Sequence, residues 1–198
     1  MLRDFAAPAS VALLNRRVRG ILFVDYVKMV RGKKAIDWSP YLDEEDRRVI
    51  SQPIDLDAWY PMETFERLGL GIVREVAHAQ LIAVRMWGRF QLDFVRTKFP
   101  TIVAEGDPRD TMMRFHAMRR AFFDYDALDV VEVLDDSATV SVQYRMDAEA
   151  EEAACWQTLG FCERLVELAG GKNVTASMAA RGWHDAPRTL VELKWTPP

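Results

Sequence analysis

The hydrophobic positions of this chain change period near residue 126. Beyond that point they alternate. Val140, Val142 and Tyr144 interleave with Thr139, Ser141 and Gln143, the period-two pattern of a half-buried strand. Just before them, Leu128–Leu134 is rich in β-branched residues, and Asp135-Asp136-Ser137 supplies a hairpin turn. A helical stripe follows, with Cys155, Leu159, Cys162, Val166 and Ala169 at i, i+4, i+7, i+11 and i+14. Gly170-Gly171 stops it, because glycine takes a left-handed end cap without steric cost. Val174, Ala176, Met178 and Ala180 alternate again, as do Val191, Leu193 and Trp195. The pattern predicts strand, turn, strand, long helix, strand, strand. Gly160, a costly residue inside that helix, is expected where the helix crosses the sheet closely.

The first half keeps a helical period. From Gly20, the residues Phe23, Tyr26, Val27 and Val30 share one face, opposite Asp25, Lys28 and Arg31. Asp43-Glu-Glu-Asp46 suits a helix start, where acidic groups meet the positive end of the dipole. Phe65, Leu68, Ile72 and Val76 form another face, interrupted by Gly69 and Gly71, which imply close packing or a kink. His78, near that helix's end, is expected to cap it or to be exposed. In residues 79–99 the core stripe is read as Ala83, Trp87, Phe90 and Phe94, widened by Ile82 and Met86. Asp107-Pro108 restarts a helix, as N-cap and first helical residue, with Phe115, Met118 and Phe122 facing inward. The expected fold is therefore mixed α/β (α+β). A helical part, residues 20–125, precedes a ββαββ part, residues 126–198, whose antiparallel four-stranded sheet is crossed by the long helix. Residues 1–19 are expected to be a loose arm.

Composition narrows the class. The 26 Lys and Arg against 30 Asp and Glu give a net charge of −4, with no general attraction for nucleic acid or an anionic membrane. The apolar run of the first nineteen residues is short, broken by Pro8 and followed by Arg16, Arg17 and Arg19, a poor export signal. No stretch approaches the roughly 20 apolar residues of a membrane span. Cys155 and Cys162, seven residues apart on one helix, are separated by about 10 Å of rise, too far for a disulfide. Two reduced core thiols and no export signal point to the cytoplasm.

Candidate chemistry is sparse. The chain contains no phosphate loop, dinucleotide fingerprint, serine elbow or HExxH, and His78, His116 and His184 are scattered. Cysteines on a buried stripe are poor nucleophiles. The aromatic and methionine residues Trp87, Phe90, Phe115, Met118 and Phe122 would line an apolar ligand cavity between helices and sheet, or else simply fill the core. Trp59-Tyr60-Pro61 would anchor a loop or form a surface recognition patch.

Val18–Val27, the run from Val142-Gln-Tyr144 through Leu159-Gly160-Phe161, and Val191–Trp195 together resemble the haem–nitric-oxide/oxygen-binding fold and the related 4-vinyl-reductase-type and transport-particle ligand-binding domains. Trp59–Phe65 and Gly106-Asp107-Pro108 resemble a paralogue family abundant in myxobacteria. The resemblance implies an axial haem ligand on a helix before the hairpin, and His116, 28 residues before Tyr144, holds that place. It also implies a tyrosine–x–serine–x–arginine signature for the haem propionates. Tyr144 matches the tyrosine, but Met146 and Ala148 replace serine and arginine, removing the forked cationic donor. Arg145 should point to the opposite face. The reading is a non-enzymatic regulatory or sensory module without haem, binding a small apolar ligand or a protein partner. Its alternatives are a haem gas sensor using His116 and Tyr144, and a purely structural interaction domain that pairs with a protein partner or with a second copy of itself.

Overall fold

Gly20 opens the first helix against a neighbouring loop so closely that a Cβ there would lie 1.9 Å from the Asp55 carbonyl oxygen. The same loop satisfies the helix's orphan donors: Gly20 N–H donates to Ala58 O at 2.9 Å and Ile21 N–H to Leu56 O at 3.1 Å. In this computed structural model, which describes residues 16–198, the helix is α1 (Gly20–Gly32) and Phe23, Tyr26, Val27 and Val30 are all buried. Most of the arm (residues 1–15) lies outside the described residues. Its last part is not loose: β1 (Arg17–Arg19) pairs antiparallel with β2 (Trp59–Pro61). Val18 is wholly buried and bridges to Phe123. Tyr60 stacks on Phe23 with ring centroids 4.6 Å apart, so the Trp59-Tyr60-Pro61 run anchors a loop.

Helix α2 (Glu44–Ser51) begins with the expected acidic cap. The Asp43 side chain accepts from Asp46 N–H, and the Asp46 side chain accepts in turn from Asp43 N–H. Asp46 is fully buried and receives both arms of the Arg67 guanidinium, at 2.6 and 2.7 Å, from α3 (Met62–Glu75). Helix α4 (Leu81–Lys98) is rotated from the sequence expectation. Its buried positions are Val84, Gly88, Gln91, Leu92 and Val95. Ile82, Met86 and Phe90 are 59, 43 and 65 % exposed, and Ala83 is exposed too. Only Trp87 and Phe94, from the expected stripe, pack against the core. The bulkier apolar stripe lost to one built around a glycine, because that face alone can approach the helix packed against it.

That partner is α6 (Ala148–Leu168), reached after α5 (Pro108–Met118), β3 (Leu128–Val133) and β4 (Ser137–Val142). Strands β5 (Lys172–Ala180) and β6 (Thr189–Thr196) complete a four-stranded sheet in the order β3-β4-β6-β5, antiparallel throughout. Val140, Val142, Val191, Leu193 and Trp195 are buried on its inner face, as their alternation required. Helix α6 is buried around most of its circumference, with the sheet on one side and α3, α4 and α5 on the other. Cys155 and Cys162 are free and fully buried, and Cys155 Sγ donates to Thr189 Oγ1 of β6 at 3.5 Å. Gly160 is at a close crossing, but the element it meets is α4 rather than the sheet: a Cβ would lie 2.0 Å from Arg85 O. Arg85 and Arg89 of α4 flank the crossing with bridges to Glu163 and Glu167.

Candidate functional site

Between the helical layer and the sheet lies a cavity of about 50 Å³. Leu22 and Tyr26 reach it from α1, Phe65 from α3, Gln91 from α4 and Phe115 from α5. Phe122, Phe123 and Leu128 close one wall; Tyr144 and the α6 residues Ala154, Gln157, Thr158 and Phe161 form the other. The wall is thus mostly aromatic and aliphatic, with five polar side chains. These form two closed chains. The Tyr26 hydroxyl donates to Gln157 Oε1, Gln157 Nε2 to Gln91 Oε1 at 2.9 Å, and Gln91 Nε2 to Leu22 O at 3.4 Å. Thr158 Oγ1 donates its one proton to Ala154 O at 2.9 Å, so the Tyr144 hydroxyl, 2.6 Å away, is the donor to Thr158. Every member has a partner, as burial demands.

No ionised group lines this cavity. Burial pushes the Tyr26 and Tyr144 phenols well above the ordinary tyrosine range, so both remain neutral donors. The neighbouring thiols are likewise held protonated, since burial raises Cys155 and Cys162 to about 12. Among the described residues no cluster of His, Cys, Asp and Glu could hold a metal ion. The site offers shape, apolar contact and neutral hydrogen bonds, with neither a general base nor a nucleophile.

Of the five aromatic and methionine residues expected here, Phe115 and Phe122 line the cavity. Trp87 lines an adjoining smaller hollow that shares Tyr26, Phe65 and Gln157. Phe90 is solvent-exposed on the outer face of α4, and Met118 packs on the core without reaching the cavity. The first correction follows from the rotation of α4, whose inward face bears Gln91; Met118 lies on the expected inner side of α5, but the cavity ends at Phe115. The polar residues Gln91, Gln157 and Thr158 escaped sequence reasoning because nothing marks a lone amide on a helix as buried. Their one signal is position: Gln91 lies next to Leu92, and Gln157 and Thr158 precede Leu159 on a stripe of small and apolar residues.

His116 is placed outside this cavity. With Phe115 turned inward, its imidazole lies beside β3, Nδ1 3.0 Å from Asp129 Oδ1 and the side chain 35 % exposed. Arg119 Nε is 3.1 Å from the same oxygen. The His116–Asp129 pair is in contact but out of line for a hydrogen bond, and both atoms lack any other hydrogen-bond partner. Of the propionate signature, Tyr144 lines the cavity, but the positions that follow it do not. Arg145 has left-handed backbone, φ 62°, and faces an outer groove with half-buried Met146 and exposed Ala148. A haem needs a slot for a macrocycle, whereas a cavity near 50 Å³ is a third of the roughly 150 Å³ that admits benzene. As it stands, the cavity is smaller than a haem macrocycle, and His116 does not line it.

Comparison with solved structures identifies the architecture. An H-NOX protein from S. oneidensis in the Fe(II)NO ligation state superposes with a TM-score of 0.60, covering 90 % of this chain and 99 % of that one at 9 % identity. An oxygen-binding H-NOX domain related to soluble guanylate cyclases, in its oxygen complex, gives 0.59 over 91 % and 96 % at 14 % identity. An unliganded Fe(II) H-NOX mutant from K. algicida gives 0.58 over 90 % and 96 %, also at 14 % identity. The chain has an H-NOX-like fold. The H-NOX-like architecture accounts for the helical half, the antiparallel sheet and the near-complete coverage of both chains. No family model matches the chain, and no curated protein matches it. Among the described residues no helix is long and apolar enough to cross a membrane.

Proposed function

We propose that this chain is a non-enzymatic sensory or regulatory module that takes up a small, uncharged, largely apolar molecule in its core cavity. The observation that carries the reading is the lining: aromatic walls, two closed chains of neutral hydrogen bonds and no ionised side chain. Such a wall disfavours a charged guest and costs little to an apolar one. Its size suits a molecule of a few heavy atoms; a larger guest requires a minor, more open state to be selected. Native mass spectrometry after mild purification tests this. A small added mass, lost in Ala154→Leu, is expected. Its absence, together with no binding of xenon under pressure, overturns the proposal.

A second reading is the haem gas sensor, favoured by the fold and by the place of His116 before Tyr144. It requires α5 to release His116 from Asp129 and the aromatic core to open. An absorbance spectrum of protein expressed with ample haem decides between the two. A colourless protein is expected; a stoichiometric Soret band abolished by His116→Ala, and kept in His78→Ala and His184→Ala, establishes the sensor.

A further inference from the structure

Opposite the core cavity, across the Tyr144–Met146 loop, lies an open groove of about 420 Å³, within the range of small-molecule sites. Its floor is the end of β4, one wall is Arg145 to Glu151, and the other is the Gly182–Arg188 segment between β5 and β6. We propose that this groove binds a small organic carboxylate with a planar apolar body, held by Arg145 and Arg188 and packed on Trp183.

The two guanidiniums come from different elements, and among the described residues neither has a carboxylate within ion-pair distance. Arg188 is positioned by three long bonds, to Gln143 Oε1 at 3.4 Å, Ser141 Oγ at 3.2 Å and Asp126 O at 3.2 Å. Of its five N–H donors two remain, enough for a forked contact with a carboxylate. Arg145 is presented by a rigid backbone. Its φ of 62° is unusual for a side-chain-bearing residue. The carbonyls of Tyr144 and Arg145 both accept from buried Arg16 Nη1 at 2.5 Å, which holds that turn in place. Trp183 lines the groove, and its indole nitrogen, shielded from solvent, has no hydrogen-bond partner, which makes it a sensitive reporter of any change there.

Two acidic residues share the groove. Glu151 is 6 % exposed, and its carboxylate oxygens are committed to Tyr144 N–H at 2.8 Å and Met146 N–H at 2.9 Å. Asp185 is exposed at the rim, in left-handed backbone with φ 66°. The free donors therefore exceed the free acceptors inside the groove. Pro187, Ala186 and the Trp183 ring supply an apolar wall, which is why the guest is an organic carboxylate rather than a bare inorganic anion. This site is independent of the core cavity and of what occupies it.

The test is a ¹H–¹⁵N NMR titration of the full chain with benzoate at constant ionic strength, the Trp183 indole resonance being assigned from Trp183→Phe. Saturable shifts of that indole and of the amides of residues 145–148 are expected. Arg145→Ala, whose side chain is exposed, should weaken binding about tenfold, and Arg145→Ala combined with Arg188→Ala should abolish it. The proposal fails if benzoate gives no saturable shift. It fails equally if affinity survives Arg145→Ala, or if inorganic phosphate produces the same shifts while benzoate does not.

Discussion

Gly88 and Gly160 bring α4 and α6 together backbone to backbone. A Cβ on Gly88 would stand 1.9 Å from Gln157 O, and one on Gly160 would stand 2.0 Å from Arg85 O. Neither neighbour is a flexible side-chain tip, so an added methyl would have to separate the helices. The crossing also positions Gln91 against Gln157, and hence the polar chain along the cavity.

Gly88→Ala and Gly160→Ala should each destabilise the protein despite the roughly 1 kcal/mol that alanine gains in helix propensity. Overpacking of this kind costs about 1–3 kcal/mol or more, and a backbone clash belongs at the upper end. Thermal denaturation should show Tm falling by about 5–10 °C for either variant. A rise in Tm would mean that the helices are farther apart than described.

The rotation of α4 can be checked by truncating neighbouring positions. Leu92 is fully buried, and Leu92→Ala should cost about 2–5 kcal/mol. Phe90, although larger, is 65 % exposed, and Phe90→Ala should change stability by no more than about 0.5 kcal/mol. Urea unfolding of the two variants would show the reverse order if the aromatic stripe faced the core.

Asp46 and Arg67 make stability sensitive to acid. Burial opposes ionisation of Asp46, but the Arg67 guanidinium, Thr64 and the Asp43 N–H outweigh it and hold the carboxyl below the usual range. A carboxyl depressed in the folded state stabilises above its unfolded pKa. That contribution is lost as pH falls below about 4 and through the folded value. Asp46→Asn should remove about 2–3 kcal/mol at neutral pH and flatten the stability loss on the acid side, measured by denaturant unfolding between pH 2 and 7. An unchanged pH profile would remove the pair from the account.

The two thiols should stay unreactive until the protein unfolds. Burial raises both to about 12, so the thiolate that attacks a disulfide reagent is scarce as well as shielded. Since an unfolded cysteine ionises near 8.5, stability should decline as pH rises from that value towards 12. Rapid native labelling of both cysteines at pH 8 would contradict the packing.

The sequence by itself determined what depends on neighbours along the chain. Alternation at Val140–Val142 and Val191–Trp195, the Asp107-Pro108 and Asp43–Asp46 starts, and the Gly170-Gly171 stop are local signals, and the elements follow them, although β4 ends before Tyr144. The buried, reduced state of Cys155 and Cys162 was legible too, because a helical stripe and a fixed rise per residue suffice to derive it. Tertiary structure alone decided the rotation of α4, where Gly88 outcompeted Phe90 for the inner face. It also set His116 beside Asp129 of β3, outside the cavity, and joined Tyr26, Gln157 and Gln91 across three helices. These outcomes depend on which surface a partner helix can approach most closely, and that is a property of two elements at once. A periodic pattern shows that a helix has an apolar side. Close packing against another backbone selects the side that is buried.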